Sequence, residues 1–238
     1  MLPCPIKSQG LAFLALLALA LPAHAELSGN ISLTSNYKFR GQDQNVSKNK
    51  PFKPAIQGGL DYSFGESGFY VGNWNSSVKW LPGNSIETDL YGGYKLKAGG
   101  ADLDVGLMAY VYPGNSSGNT FETYGGATFG PFSAKYSHTL SRDYFGFAGV
   151  GLRGRNTGYL NLACAQEIAP RFTLRTALGW TRFGGSISAP NYIDYSLGGA
   201  YDFGSGLSLG AALVGANKKY FFGPVNKSRV LATLTKTL

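Results

Sequence analysis

Asp102-Leu103-Asp104-Val105-Gly106-Leu107-Met108-Ala109-Tyr110-Val111 sets Leu103, Val105, Leu107, Ala109 and Val111 at every second position, with Asp102, Asp104 and Tyr110 between them. Side chains alternate across an extended chain, so this stretch has one apolar and one polar face. The period recurs outward in both directions. It predicts strands over 31–40, 56–64, 70–80, 86–96, 121–129, 132–140, 172–181, 193–203, 207–213 and 229–238, and more weakly over 159–168. With the opening stretch these make twelve. Their connections alternate in length. Residues 65–68, 98–100, 130–131, 169–171 and 204–206 are tight turns, whereas 41–53, 113–120, 141–156, 184–192 and 216–227 are long and polar, with the shorter 81–85 on their side. Short turns at one end and long loops at the other are the layout of outer-membrane barrels. The expected fold is therefore all-β: a 12-stranded antiparallel transmembrane β-barrel, a meander with short periplasmic turns and longer extracellular loops.

The first residues support export. Lys7 precedes the apolar run Leu11–Leu21, which is followed by Pro22 and Ala23-His24-Ala25. A charged region, an apolar region and an Ala-x-Ala site form a secretory signal peptide. The run is too short for a spanning helix, which needs roughly 20 residues. The expected division is a cleaved signal peptide over 1–25 and a barrel over 26–238. Cys4 leaves with the signal, and Cys164, alone among small and apolar neighbours, reads as a packing residue. Lys7 is the only charge removed, so 21 Lys and Arg become 20 against 13 Asp and Glu, a net charge of +7. In an exported chain that excess points to lipopolysaccharide phosphates or anionic solutes rather than nucleic acid. Glycine is abundant, 34 of 238 residues, twice the usual ~7%. Pairs such as Gly92-Gly93 and Gly198-Gly199 sit mid-strand, where they permit the bends of a closed sheet.

Alternation alone does not say which face looks inward. Three features place the apolar face outside. Aromatic residues gather at strand ends (Phe39, Phe64, Phe69, Trp80, Tyr94, Phe121, Phe129, Phe132, Phe172, Phe183, Phe203), as in interfacial girdles. Mid-strand apolar residues are mostly Leu, Val, Ile and Ala. The other face carries charges of both signs, which in a membrane must face the lumen. Closure is then required, because an open sheet edge in lipid leaves backbone groups unpaired.

With that parity the candidate pore-lining cations are Lys38, Arg40, Lys79, Lys95, Lys135, Arg175 and Arg229. The candidate anions are Asp61, Glu87, Asp89, Asp102, Asp104, Glu122, Asp194 and Asp202. Seven against eight favours cross-strand pairing, with a charged constriction as the functional reading. Twelve strands lie between the eight whose interior side chains just fill and the 16 that leave an aqueous channel. The surplus positive charge falls on the long loops as a basic rim: Lys48, Lys50, Lys53, Arg142, Arg153, Arg155, Lys218, Lys219 and Lys227.

The stretches 29–41 (GNISLTSNYKFRG), 54–62 (PAIQGGLDY), 68–80 (GFYVGNWNSSVKW), 87–95 (ETDLYGGYK), 129–146 (FGPFSAKYSHTLSRDYFG) and 192–204 (YIDYSLGGAYDFG) follow in order along the chain. In this series the chain resembles the TorF family of proposed porins, small Gram-negative outer-membrane proteins. The resemblance implies an outer-membrane barrel and passive diffusion of small solutes. One departure is the last residue: such barrels usually finish in an aromatic side chain, and this chain finishes in Leu238.

The reading that follows is a porin-like channel for passive diffusion of small solutes with a mild preference for anions, with outer-membrane lipids and lipopolysaccharide as surroundings. The alternatives are a non-conducting structural or adhesion barrel and, last, an outer-membrane lipid hydrolase. A hydrolase needs a nucleophile, a base and an orienting group. His138 is the only histidine beyond the signal, and Ser137, adjacent to it, points to the opposite face. Ser141 and Tyr136 are its conceivable neighbours. No catalytic, cofactor or metal site is expected, since Asp102-x-Asp104 alone does not continue into an EF-hand series.

Overall fold

The computed structural model describes residues 26–46, 50 and 52–238; segment 1–25, where a signal peptide is expected, and Lys48 lie outside the described residues. Among the described residues fourteen strands occur in chain order: β1 (Glu26–Thr34), β2 (Lys38–Phe39), β3 (Gln42–Asp43), β4 (Ala55–Ser63), β5 (Phe69–Ser77), β6 (Ile86–Ala98), β7 (Ala101–Val111), β8 (Thr120–Phe129), β9 (Phe132–Thr139), β10 (Gly158–Ala169), β11 (Phe172–Arg182), β12 (Tyr192–Gly204), β13 (Leu207–Ala216) and β14 (Arg229–Thr237). Twelve of them, β1 and β4 to β14, form one closed antiparallel barrel. Closure is made by β1, which pairs with β4 on one side and β14 on the other, in register Leu33↔Ile56 and Leu33↔Leu234.

The tight turns stand at one end. Gly99 and Gly100 join β6 to β7 with φ of 57° and 81°, the two positive φ values of a type I′ hairpin turn, which matches the twist of the flanking strands. The long loops stand at the other end. The outer wall is apolar: Leu27 is 66% exposed, Ile56 63%, Leu178 59% and Val230 72%. Water tolerates no such continuous patch on a soluble monomer, whereas lipid requires it. Exposed Phe69, Phe129, Phe132 and Phe203 ring the tight-turn end, and Phe121 and Trp180 the loop end. Leu178 lies mid-strand on this face. Leu178→Arg is expected to destabilise the barrel in lipid vesicles by ~2–4 kcal/mol, as cations do at the bilayer midplane. Ala177→Arg, one residue away and inward, should cost much less. Equal costs by urea titration would contradict apolar-out.

Two sequence expectations need correction. The first strand ends at Thr34 and does not reach Arg40. Ser35 donates its N–H to the Ala232 carbonyl at 2.8 Å, and beyond it the chain leaves the wall and turns into the barrel. In β5 the parity is reversed. Tyr70 is buried inside and Trp74 packs edge-on against Tyr37 at 5.5 Å, while Phe69 and Val71 are exposed outside. The amphiphilic ring of Tyr70 is drawn inward by a hydrogen bond from its hydroxyl to Asp104 at 2.7 Å.

Candidate functional site: the lumen and its loop-end mouth

The loop between β1 and β4 folds into the barrel. Its tip is a two-residue turn between β2 and β3, at Arg40 and Gly41, both with positive φ (47° and 74°). Gly41 is pressed to the far wall: a Cβ there would meet the Asp194 Cβ at 2.5 Å and the Ala216 Cβ at 2.9 Å. From tip to base the hairpin touches most of the wall. Tyr37 donates to Glu87 of β6 at 3.2 Å. Phe39 packs on Tyr110 of β7 at 5.5 Å. Arg40 donates twice to Glu122 of β8, at 3.0 and 2.6 Å, and its guanidinium lies 4.3 Å from the Tyr159 ring of β10. Gln42 donates to Asn226 at 2.9 Å and Lys38 to the Val225 carbonyl at 2.8 Å, both in the β13–β14 loop.

The base of the hairpin is held by one carboxylate. Asp43 receives Lys38 at 3.1 Å, Lys53 at 3.3 Å and Arg229 of β14 at 2.8 Å, and its side chain is 1% exposed. Asn36 also donates to it at 3.0 Å. Lys53 is further tied to the Asn45 carbonyl. Three cations around one anion leave a local excess of positive charge. Burial pushes the Lys38 ammonium down to about 8, with Asp43 opposing the shift. The hairpin therefore forms a diaphragm across the loop half of the lumen, packed on Val78, Tyr110 and Tyr112.

This diaphragm divides the residues expected to line a pore. Lys38, Arg40, Glu87, Asp89, Glu122, Asp194 and Arg229 lie in its layer, and all but the intermediate Lys38 are buried. Asp61, Lys95, Asp102, Asp104, Lys135, Arg175 and Asp202 lie on the inward face of the tight-turn half. There Tyr91 donates to Asp61 at 2.7 Å, and Lys95 and Lys135 stand over the Tyr70 and Tyr124 rings at 4.5 and 3.7 Å. The Tyr70 and Tyr124 hydroxyls are hydrogen-bonded to each other. Lys97 and Asp102 pair at 3.6 Å in the open, with 89% and 66% of their side chains exposed, so this pair adds little.

Lys79 departs from expectation: it follows β5, is exposed, and meets Asn45 through a backbone bridge. Lys53 departs too, being buried on Asp43 rather than on the rim. Lys50, Arg142, Arg153, Arg155, Lys219 and Lys227 are exposed on the loops, and Lys218 is half-buried. Asp43 and the inward tyrosines were not legible as site residues. Asp43 sits in a loop whose partners come from distant positions, and Tyr70 was hidden by the reversed parity of β5.

The two lumen walls differ. On the β4–β9 side the inward residues are bulky, with Tyr70, Tyr91, Tyr110 and Tyr124 bonded to carboxylates or to one another. On the β11–β14 side they are small. Ser196, Gly198, Ala212, Thr233 and Thr235 leave a cavity of about 310 Å³ whose cation is Arg175.

His138 lies on the outer face. Its ring nitrogens meet the Tyr136 hydroxyl at 3.2 Å and Asn156 Oδ1 at 3.3 Å. Among the described residues no Ser, Thr or Cys hydrogen-bonds to either nitrogen, and no cluster of three His, Cys, Asp or Glu is arranged for a metal.

The profile of the family described as "Bacterial protein of unknown function (Gcw_chp)" matches residues 21–237. Comparison with curated protein sequences gives no match. Among solved structures, the NanC porin in a rhombohedral crystal form superposes with a TM-score of 0.58 at 11% identity, covering 89% of this chain and 98% of that one. The KdgM porin in complex with disordered oligogalacturonate superposes with a TM-score of 0.55 at 10% identity, again covering 89% and 98%. At such identity the likeness is one of fold: a closed twelve-stranded barrel similar to those of outer-membrane porins.

Proposed function

We propose that this chain, which belongs to the Gcw_chp family of bacterial proteins, is an exported outer-membrane porin-like channel whose lumen is narrowed by the β1–β4 loop. Its solutes are small and chiefly anionic. The observation that carries the reading is the inward-folded hairpin in a barrel with an apolar outer wall. A diaphragm across the lumen is useful to a conduit and superfluous to an anchor. The barrel likeness to two porins and the resemblance to the TorF family support the same reading. Lipid and lipopolysaccharide contact belongs to it as well, through the apolar wall and the exposed loop cations.

The path for solute follows the β11–β14 wall, where the side chains are small. Arg175 stands in it without a hydrogen-bond or ion-pair partner among the described residues. The basic loops raise the local concentration of anions at the outer mouth, and Arg175 favours them inside. Arg175→Glu is therefore expected to lower the anion-to-cation permeability ratio severalfold in bilayer reversal potentials. A clear cation preference of the unaltered protein, or no change in the variant, would count against this path.

The second reading is a non-conducting barrel. The extent of burial in the diaphragm layer favours it, since Glu87 and Glu122 are no more than 1% exposed. Conductance separates the two. The hydrolase reading has His138 and Asn156 in its favour, but among the described residues the hydroxyl on the ring is the Tyr136 phenol, and no Ser, Thr or Cys joins it.

A further inference from the structure

Loops that face water are usually polar, yet those at the mouth of this barrel converge on aromatic rings. Phe39 comes from the β1–β4 loop, Trp80 from β5–β6, Phe145 and Phe147 from β9–β10, Phe183 from β11–β12 and Phe222 from β13–β14. The phenylalanines join in a chain of ring contacts: Phe39 to Phe145 at 5.3 Å, Phe145 through Tyr144 to Phe147 at 4.8 and 6.3 Å, Phe147 to Phe183 at 5.6 Å, and Phe183 to Phe222 at 6.2 Å. Together they wall a bowl of about 210 Å³ directly above the diaphragm. A dry apolar cavity of ~150 Å³ accepts benzene, so this one has room for a single ring with a small substituent.

The lining holds one cation, Arg40, and one anion, Asp43. Behind the lining, Lys38, Lys53 and Arg229 surround Asp43 and outnumber it. Arg40 spends both terminal nitrogens on Glu122 but leaves its Nε–H buried without an acceptor, and Trp80 leaves its Nε1–H likewise. Both residues line the bowl; buried donors left unmade are costly, and a carboxylate brings two acceptor oxygens for them. A hydroxyl-rich solute finds little here. The Gln42 amide is committed to Asn226 at 2.9 Å and the Gln44 amide to the Gln42 carbonyl at 3.2 Å.

We infer that this bowl is a binding site for a small aromatic carboxylate: one planar ring held among the phenylalanines, its carboxylate turned to Arg40 and Trp80. The inference deepens the channel reading by naming the class of solute taken up at the mouth. Exposed Arg142, Arg153 and Lys219 on the surrounding loops draw such an anion in.

The test is equilibrium dialysis of benzoate against the full barrel refolded in detergent, with acetate, benzyl alcohol and galacturonate as competitors. Saturable one-site benzoate binding is expected, with each competitor about tenfold weaker or more, since each lacks the ring or the charge or brings excess hydroxyls. Phe147→Ala is expected to weaken benzoate about tenfold. Trp80→Phe keeps a ring and removes the N–H, so it should weaken benzoate and leave benzyl alcohol unchanged; it decides the matter if Phe147→Ala fails to fold. No saturable binding by protein with native heat-modifiable gel mobility overturns the inference. So does galacturonate or acetate binding as tightly as benzoate, or both variants binding benzoate like the parent. Benzoate binding with a silent bilayer would sink the channel and keep the site; conduction without benzoate binding would do the reverse.

Discussion

Asp43→Asn is expected to release the β1–β4 loop from the lumen while leaving the barrel closed. The Asp43 side chain is 1% exposed and is the counter-charge of Lys38, Lys53 and Arg229. Removing one partner of a buried ion pair costs ~3–5 kcal/mol, because the remaining charge is left uncompensated. Here three cations lose the same partner. The wall does not depend on them. β1 is fixed by nine register pairs to β4 and five to β14, so the penalty falls on the hairpin. The cations regain water if the hairpin swings out. Two readouts follow: trypsin should newly cut after Lys38 and Arg40, and conductance should rise. A loop as resistant as the parent's, with unchanged conductance, would show that something other than Asp43 holds it.

Glu122→Gln should loosen the tip of the same hairpin by a comparable ~3–5 kcal/mol. Arg40 is 9% exposed and places both terminal nitrogens on Glu122. Its face lies over Phe39, Phe145 and Tyr159 at 4.9, 5.6 and 4.3 Å. Those rings offset part of the loss, about 0.5–2 kcal/mol where the cation is desolvated. They cannot replace a bidentate carboxylate. Replacing the whole pair is a different experiment. Arg40→Met with Glu122→Leu removes both charges together, and such swaps are often neutral or stabilising. Urea titration of the parent, Glu122→Gln and the double variant should find the double variant more stable than Glu122→Gln alone. A Glu122→Gln protein as stable as the parent would mean that the rings, not the carboxylate, hold Arg40.

The barrel was legible because period two is a local property. Val105, Leu107 and Ala109 announce their face with no knowledge of their neighbours, and the Gly99-Gly100 turn announces the hairpin. Interior placement was less legible where a side chain belongs to both classes. Tyr70 and Trp74 are apolar by ring and polar by tip, so the alternation in β5 points to the wrong face. The diaphragm was hidden for a related reason. Tyr37-Lys38-Phe39-Arg40 continues the alternation of β1, and no Gly or Pro marks the break at Ser35. Only the partners show it, and they lie up to 187 residues away in sequence. Lys53 looks like any loop lysine until Asp43 is placed beside it.

The central claim is that this is a channel narrowed by its own first long loop. Single-channel recording in a planar bilayer tests it most directly, using the refolded full barrel beside a variant in which 36–53 is replaced by a short Gly-Ser turn. Discrete small openings of the parent and severalfold larger ones of the shortened protein are the predicted result. Persistent silence of both, in protein whose gel mobility shows a folded barrel, would contradict it.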